Sequence, residues 1–281
     1  MSAIKDRVRT ITNLHKVTKA MEMVTRTKIH KMRQNAASAK DYQELYAGLF
    51  GALALKYVIK PGASQETSQK YCLAFFSQKG FCGGFNEKLL NCLRAALATE
   101  KIPPKLYLLG RFQAKWKHVL AREFQHIAAR ENTYREETAG LVAEIGAKIL
   151  AGEKIEVCFI YNRLVSVLEQ TPLAQKIYPP DPPAVEKEIL LEPDVDALYP
   201  EALKGYLTAC LAKAYWESAA GEYYFRLLSM KNANDNAELI LGGLLLEYNK
   251  TRQTRITQEL SEVISAFDVL KVSAEKKERG V

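Results

Sequence analysis

The sequence predicts one fold class: a Rossmann-like α/β domain inserted between N- and C-terminal helices that pair into a long antiparallel coiled-coil shaft. Three observations carry this. All ten prolines lie between Pro61 and Pro200, so residues 1–60 and 201–281 contain none. Proline removes an amide donor and clashes with the preceding turn, so its absence permits a long helix at each end. Both ends also repeat apolar residues at steps of three and four, whereas the middle holds short apolar runs of strand length.

In order along the chain, residues 1–60 form the N-terminal helix. Ile4, Val8, Ile11, Leu14, Val17, Met21 and Val24 read as its seam, with basic residues outside. Met32, Tyr42, Leu45, Leu49 and Leu53 continue it until Lys60-Pro61-Gly62. Residues 61–185 form the α/β domain. Tyr71–Ser77, Leu106–Leu109 and Ile155–Tyr161 are apolar runs suited to buried strands, with helices expected near 86–99, 113–126 and 134–151. That alternation predicts a small, mostly parallel sheet with helices packed on it. A proline-rich run from Tyr178 to Pro183 leads into the connection, 186–200, through Leu190-Leu191-Glu192-Pro193.

The C-terminal helix, 201–281, carries its seam on Leu227, Met230, Ala233, Ala237, Ile240, Leu241, Leu244, Leu245 and Tyr248, then Ile256, Leu260, Val263 and Phe267. Gly221, Gly242 and Gly243 weaken it locally. About sixty to seventy helical residues reach roughly 90–100 Å, longer than an ordinary domain encloses, so part of the helix must project.

Composition narrows the function classes. A hydrophobic fraction of 48% argues for a packed protein rather than a disordered one. The five cysteines (72, 82, 92, 158 and 210) form no CxxC pair, and the four histidines show no metal-ligand spacing. Neither a disulfide framework, a metal site nor a cofactor is expected. No stretch approaches the ~18 apolar residues of a membrane span, and the charged start is no signal peptide, which predicts a cytoplasmic protein. Of the net charge of +8, most lies in residues 1–34, where nine Lys or Arg oppose Asp6 and Glu22. Such a block suits an anionic partner, and equally a solvated helix face.

The sequence offers little catalytic chemistry. Gly80-Phe81-Cys82-Gly83-Gly84 follows a strand and precedes a helix, but lacks both the P-loop ending and the dinucleotide spacing. A tight turn needing positive φ explains it better. Cys82 has no sequence-adjacent base, and no nucleophile elbow occurs. Glu259 and Glu262 read as surface carboxylates. More telling is the polar density of the last helix, at Lys231-Asn-Ala-Asn-Asp-Asn236 and at Asn249–Glu259. Asn and Asp are poor formers of helix interiors, so such a helix either ends there or grips something.

Those clusters carry a family resemblance. Met230-Lys-Asn-Ala-Asn-Asp-Asn-Ala237 and Tyr248-Asn-Lys-Thr-Arg-Gln-Thr-Arg-Ile-Thr-Gln-Glu-Leu-Ser-Glu262 resemble the terminal helix of the gamma subunit of F-type ATP synthases. Lys16–Val24, Ser77–Asn86, Tyr161-Asn162 and Leu191-Glu192-Pro193 resemble the same family in order along the chain. The resemblance implies a central rotor stalk inside a ring of alpha and beta subunits, its foot on a membrane ring of c subunits and the epsilon subunit. It also implies a non-catalytic subunit, peripheral on the cytoplasmic face of the bacterial inner membrane, because nucleotide chemistry belongs to beta. Met21, Arg226, Arg252, Gln253, Thr257 and Glu259 would then face the alpha/beta ring, and Glu192 would lie in the foot.

Two places depart from the family. Ala266-Phe267-Asp268-Val269 stands where the family usually has Gly-Ala followed by small residues, and Thr25-Arg26-Thr27 stands where alanines are usual. A divergent, specialised branch is expected. Against a basic coiled-coil nucleic-acid binder, residues 1–34 offer no aromatic side chain for stacking on bases. Against an autonomous enzyme on the α/β domain stands the lack of an active-site motif.

Overall fold

The computed structural model describes residues 2–58, 69–100, 102–111, 120, 123–164, 170–180 and 195–278. They form α1 (Ser2–Val58), β1 (Gln69–Phe75), α2 (Phe85–Thr99), β2 (Lys105–Leu109), β3 (Gln125–Ile127), α3 (Tyr134–Leu150), β4 (Ile155–Leu164), β5 (Gln170–Tyr178) and α4 (Val195–Glu278). The chain divides into two compact units, Met1–Met23 with Met230–Val281, and Val24–Ser229.

Within the second unit the sheet order is β3-β2-β1-β4-β5. The first four strands run parallel, and β5 returns antiparallel beside β4. Side chains alternate between the two faces. Tyr71, Leu73, Phe75, Val157, Phe159 and Tyr161 face a core shared with Phe50 and Leu53 of α1, with α3, and with Leu203, Leu207 and Leu211 of α4. Cys72, Ala74, Phe76 and Ile160 face α2 through Leu89, Leu90 and Leu93. Burial on both faces is why β1 and β4 read as unbroken apolar runs, each large side chain contributing about 1.5–3 kcal/mol on leaving water.

Two strands had no signal in the sequence. β3 is a three-residue edge strand that takes the last two residues of the stretch 113–126 expected to be helical, so the end of that helix is corrected to strand; Leu120 is helical, and residues 112–119, 121 and 122 lie outside the described residues. β5 carries Pro172, which a sheet tolerates only at an edge, where β5 lies. Gly110 closes β2 at φ 112°, and a Cβ there would stand 2.4 Å from the Phe76 carbonyl oxygen. That position admits glycine alone. The last helix also starts earlier than its proline-free stretch suggests, and holds Pro200 within its first two turns.

The helix pairing is antiparallel in each unit. In the second, Lys213 Nζ donates to Gln43 Oε1 at 3.1 Å, and Phe50 stacks on Tyr206 with centroids 4.8 Å apart. Met32 and Ala36 pack on Ala220. In the first, His15 Nε2 lies 3.4 Å from a Glu238 carboxylate oxygen, and Thr18 bonds Asn234. Each step forward on α1 is a step back on α4.

The seam of α1 follows a strict alternation of four and three: positions 4, 8, 11, 15, 18, 22, 25, 29, 32, 36, 39, 43, 46, 50 and 53 are all buried or half-buried. This corrects the apolar reading. Leu14, Val17 and Val24 are 53%, 56% and 59% exposed, and Tyr42, Leu45 and Leu49 also face out. The seam positions are instead His15, Thr18, Glu22, Thr25, Gln43, Tyr46 and Phe50. Downstream, buried Met32, Ala36, Ala39 and Phe50 fix the frame, and the polar seam residues are tolerable because α4 supplies them with partners.

Candidate functional site

Two regions merit attention: the place where an open α/β sheet would hold a ligand, and the outer surface of the paired helices.

Open parallel sheets bind ligands beyond the carboxyl ends of their strands, where the strand order reverses. Here that point lies between β1 and β4, beside the loop 76–84. The loop turns as its glycines suggested, although the left-handed residues are Phe81 (φ 61°) and Gly83 (φ 53°). Asn86 pins it internally: its Oδ1 accepts from Ser77 N at 3.0 Å and its Nδ2 donates to Ser77 Oγ at 2.7 Å.

The crevice is filled by the protein itself. The Glu222 carboxylate accepts from Gln78 N at 2.8 Å and from Lys79 N at 3.1 Å. Arg226 pairs with Glu222 and donates to Gly80 O at 3.1 Å and Lys79 O at 3.2 Å. Paired backbone amides of this kind ordinarily cradle an anion; in this loop the anion is the helix's own glutamate. Two voids flanking Glu222 measure about 10 Å³ each, room for one water at most. Burial pushes the thiol of Cys82 up, away from the thiolate a nucleophile requires. Among the described residues no cluster could hold a metal ion, and no helix is long and apolar enough to cross a membrane.

The polar cluster of the last helix does grip something, namely the other helix. Asn234, 6% exposed, donates through Nδ2 to Glu22 Oε2 at 2.6 Å and accepts from the Thr18 hydroxyl. Farther along, the pairing of His15 with Glu238 puts the first turn of α1 level with about Thr251. Beyond that level α4 continues to Glu278. Ile256, Leu260, Val263, Ile264 and Phe267 there are 44–72% exposed, a one-sided apolar stripe that none of the described residues covers.

The residues singled out from sequence divide accordingly. Arg252, Gln253, Thr257 and Glu259 are exposed on that stretch. Glu259 accepts from Arg255 Nε at 2.8 Å, and the Thr257 hydroxyl bonds Gln253 O at 3.0 Å. Met21 is half-buried on α1. Arg226 is different: at 4% exposure it holds the loop from inside rather than presenting itself outward. Glu192 lies outside the described residues. Sequence reasoning missed Glu222 and Ser218; an acid four residues before Arg226 in an apolar helix stretch was the available signal. It also missed an open groove of about 460 Å³ between α1 and α4, lined by His30, Arg33, Gln34 and Lys40 on one side and Glu217 on the other.

Comparisons with known proteins agree with this architecture. A family model described as ATP synthase matches residues 1–270. The ATP synthase gamma chain of Polynucleobacter asymbioticus is 30% identical, covering 93% of this chain and 96% of that one. That of Clostridium kluyveri is 28% identical, with 95% and 97% covered. Among solved structures, a chain of the Euglena gracilis mitochondrial ATP synthase rotor in one rotational state superposes with a TM-score of 0.60 at 15% identity, covering 91% of this chain and 98% of that one. A chain of the same organism's OSCP/F1/c-ring assembly in another state gives 0.63 at 16% identity, with 96% and 94% covered. These structures share the fold. The chain belongs to the ATP synthase gamma chain family.

Proposed function

We propose that this chain is the central rotor stalk of an F-type ATP synthase, coupling ion-driven rotation of a c ring to conformational cycling of catalytic beta subunits. One observation carries the reading: α4 runs past the reach of α1 and bears an exposed apolar stripe from Ile256 to Phe267. A single helix with that much uncovered apolar surface is built to be enclosed by partners. The solved relatives are described as rotor and c-ring assemblies. The chain is not an enzyme by itself, since the crevice where its sheet would bind a ligand is filled by Glu222 and Arg226.

The alpha and beta subunits are the partners of Met21, Arg252, Gln253, Thr257 and Glu259. Arg252 and Gln253 act as a catch whose charge-assisted hydrogen bonds to acidic stator loops break and re-form with rotation. The basic face of α1, with its groove at Arg33 and Lys40, favours attraction to those loops without one deep minimum. Arg226 contributes from within, by fixing the loop that carries exposed Phe81. Glu192 belongs to the foot, against the c ring and the epsilon subunit. The subunit sits peripherally on the cytoplasmic face of a bacterial inner membrane.

The test is the ATPase activity of co-expressed alpha and beta subunits with and without this chain. Activity that requires the chain, and that falls when Arg252 and Gln253 are both changed to Ala, supports the reading. An alpha/beta pair that neither binds the chain nor responds to it overturns it. A nucleic-acid binder would instead retain DNA against competition, an outcome the lack of aromatic residues on the basic segment disfavours.

A further inference from the structure

Four side chains of α4 recur at steps of three and four, and each bonds the same short piece of chain at the end of β1. Tyr215 accepts through its hydroxyl from Gln78 Nε2. Ser218 Oγ donates to Phe75 O at 2.9 Å. Glu222 accepts from the amides of Gln78 and Lys79, and Arg226 donates to the carbonyls of Lys79 and Gly80. All four are at most 6% exposed. From Ser218 to Arg226 the contacts form a ladder, advancing along α4 as the chain advances from Phe75 to Gly80, and Tyr215 reaches ahead to the Gln78 side chain.

We propose that this ladder is the torsional joint of the subunit, with Glu222 and Arg226 as positioning residues that lock the sheet to α4 against turning about the helix axis. The inference rests on the rotary reading above. Apolar packing is non-directional, so two greasy surfaces slide with little loss over small angles. Hydrogen bonds weaken steeply once their angle falls below ~120°, so a set of them resists twist. Charge-assisted bonds in a dry interior are the stiffest of these. A buried ion pair is weak evidence for stability, because apolar residues of equal volume often serve as well. Here both charges are spent on backbone groups of one loop, which is what a joint needs and a core does not. The strained Phe81 (φ 61°), 70% exposed, sits immediately beyond the clasped segment. Strain of this kind persists where surrounding structure over-determines it.

The test uses the assembled complex reconstituted in vesicles. Glu222→Gln keeps the shape, removes the charge facing Arg226 and leaves one acceptor oxygen for two amides. Amide exchange at Gln78 and Lys79 should then quicken about 10- to 100-fold. ATP-driven ion pumping should fall severalfold while ATP hydrolysis stays within about twofold, because a slack joint wastes rotation without stopping catalysis. Leu203→Ala, which opens the core without touching the ladder, provides the structural control. It should lower Tm at least as much and leave the ratio of pumping to hydrolysis unchanged. The proposal is overturned if Glu222→Gln keeps the full ratio, or lowers it no more than Leu203→Ala. Unchanged exchange at Gln78 and Lys79 would sink the clasp itself. If the unaltered chain supports no partner-dependent hydrolysis, the rotary reading fails instead, and the exchange experiment still reports on the joint.

Discussion

Replacing Asn234 by alanine should show how much the polar layer in the helix seam contributes. In the native layer Asn234 Nδ2 donates to Glu22 Oε2 at 2.6 Å and Oδ1 accepts from Thr18. Thr18 keeps partners without it, since its hydroxyl also reaches Leu14 O at 3.1 Å and His15 O at 3.0 Å. That loss is therefore a neutral hydrogen bond, about 1 kcal/mol. The bond to Glu22 is charge-assisted, and partial exposure of Glu22 puts it at the low end, about 1.5 kcal/mol. Alanine returns about 0.6 kcal/mol through helix propensity. The net cost is about 2 kcal/mol. Urea unfolding followed by helical circular dichroism measures it, and a double-mutant cycle with Glu22→Ala should give a coupling of about 1.5 kcal/mol. Amide exchange should accelerate in residues 10–23 and 230–240 first. A loss under about 0.5 kcal/mol with no coupling to Glu22 would refute the layer's role.

Three further outcomes follow from the geometry. Gly205→Ala puts a Cβ 2.0 Å from Cε1 of Tyr46; overpacking of about 1–3 kcal/mol outweighs the roughly 1 kcal/mol gained by helix propensity, so Tm falls. Burial pushes the Cys158 thiol from 9.0 up to about 11 and Cys210 up to about 12. Raised folded values mean that their contribution to stability is intact below pH 9 and is lost as pH rises toward 11–12. A Tm-versus-pH series should fall above pH 9, and native thiol labelling at pH 8 should be slow at both residues. Phe81→Gly relieves left-handed backbone strain of about 1–2 kcal/mol against a slightly smaller entropic cost. Thermal stability should hold or rise slightly, while a partner that uses the exposed ring would bind more weakly in a pull-down of the assembled head.

The sequence made the layout legible because its strongest signals are physical necessities. Proline is rare in a helix beyond its opening turns, and a strand buried on both faces is apolar throughout, so α1, all but the start of α4, β1, β2 and β4 were readable. β3 and β5 were not, because edge strands need no continuous apolar run, and a partner strand supplies what their composition lacks. The seam of α1 was misread for a related reason. Scanning for apolar residues selects Leu14, Val17 and Val24, but the buried positions include His15, Thr18 and Glu22, whose partners sit more than two hundred residues away in sequence. The switch-point clasp left only a faint trace for the same cause: Glu222, four residues before Arg226 in an apolar stretch, looks like half of an ordinary helix ion pair until the loop at Gln78 is folded against it. Arg252, Gln253, Thr257 and Glu259 stood out because a helix crowded with polar groups on an uncovered stretch is uncommon in a chain that works alone.

The strict four-three seam of α1 has a mechanical corollary. From Thr25 to Leu53 it runs through four whole heptads, judged by burial. A helix of 3.6 residues per turn drifts about 20° per heptad against such a repeat, so keeping contact winds the pair left-handed by roughly 80° over that length. A wound two-ply rope is not indifferent to the sense in which it is turned: one sense draws the plies together, the other pries them apart. The stiffness of this rod under load should therefore differ between clockwise and anticlockwise driving, a bias set by the spacing of its seam before any partner is added.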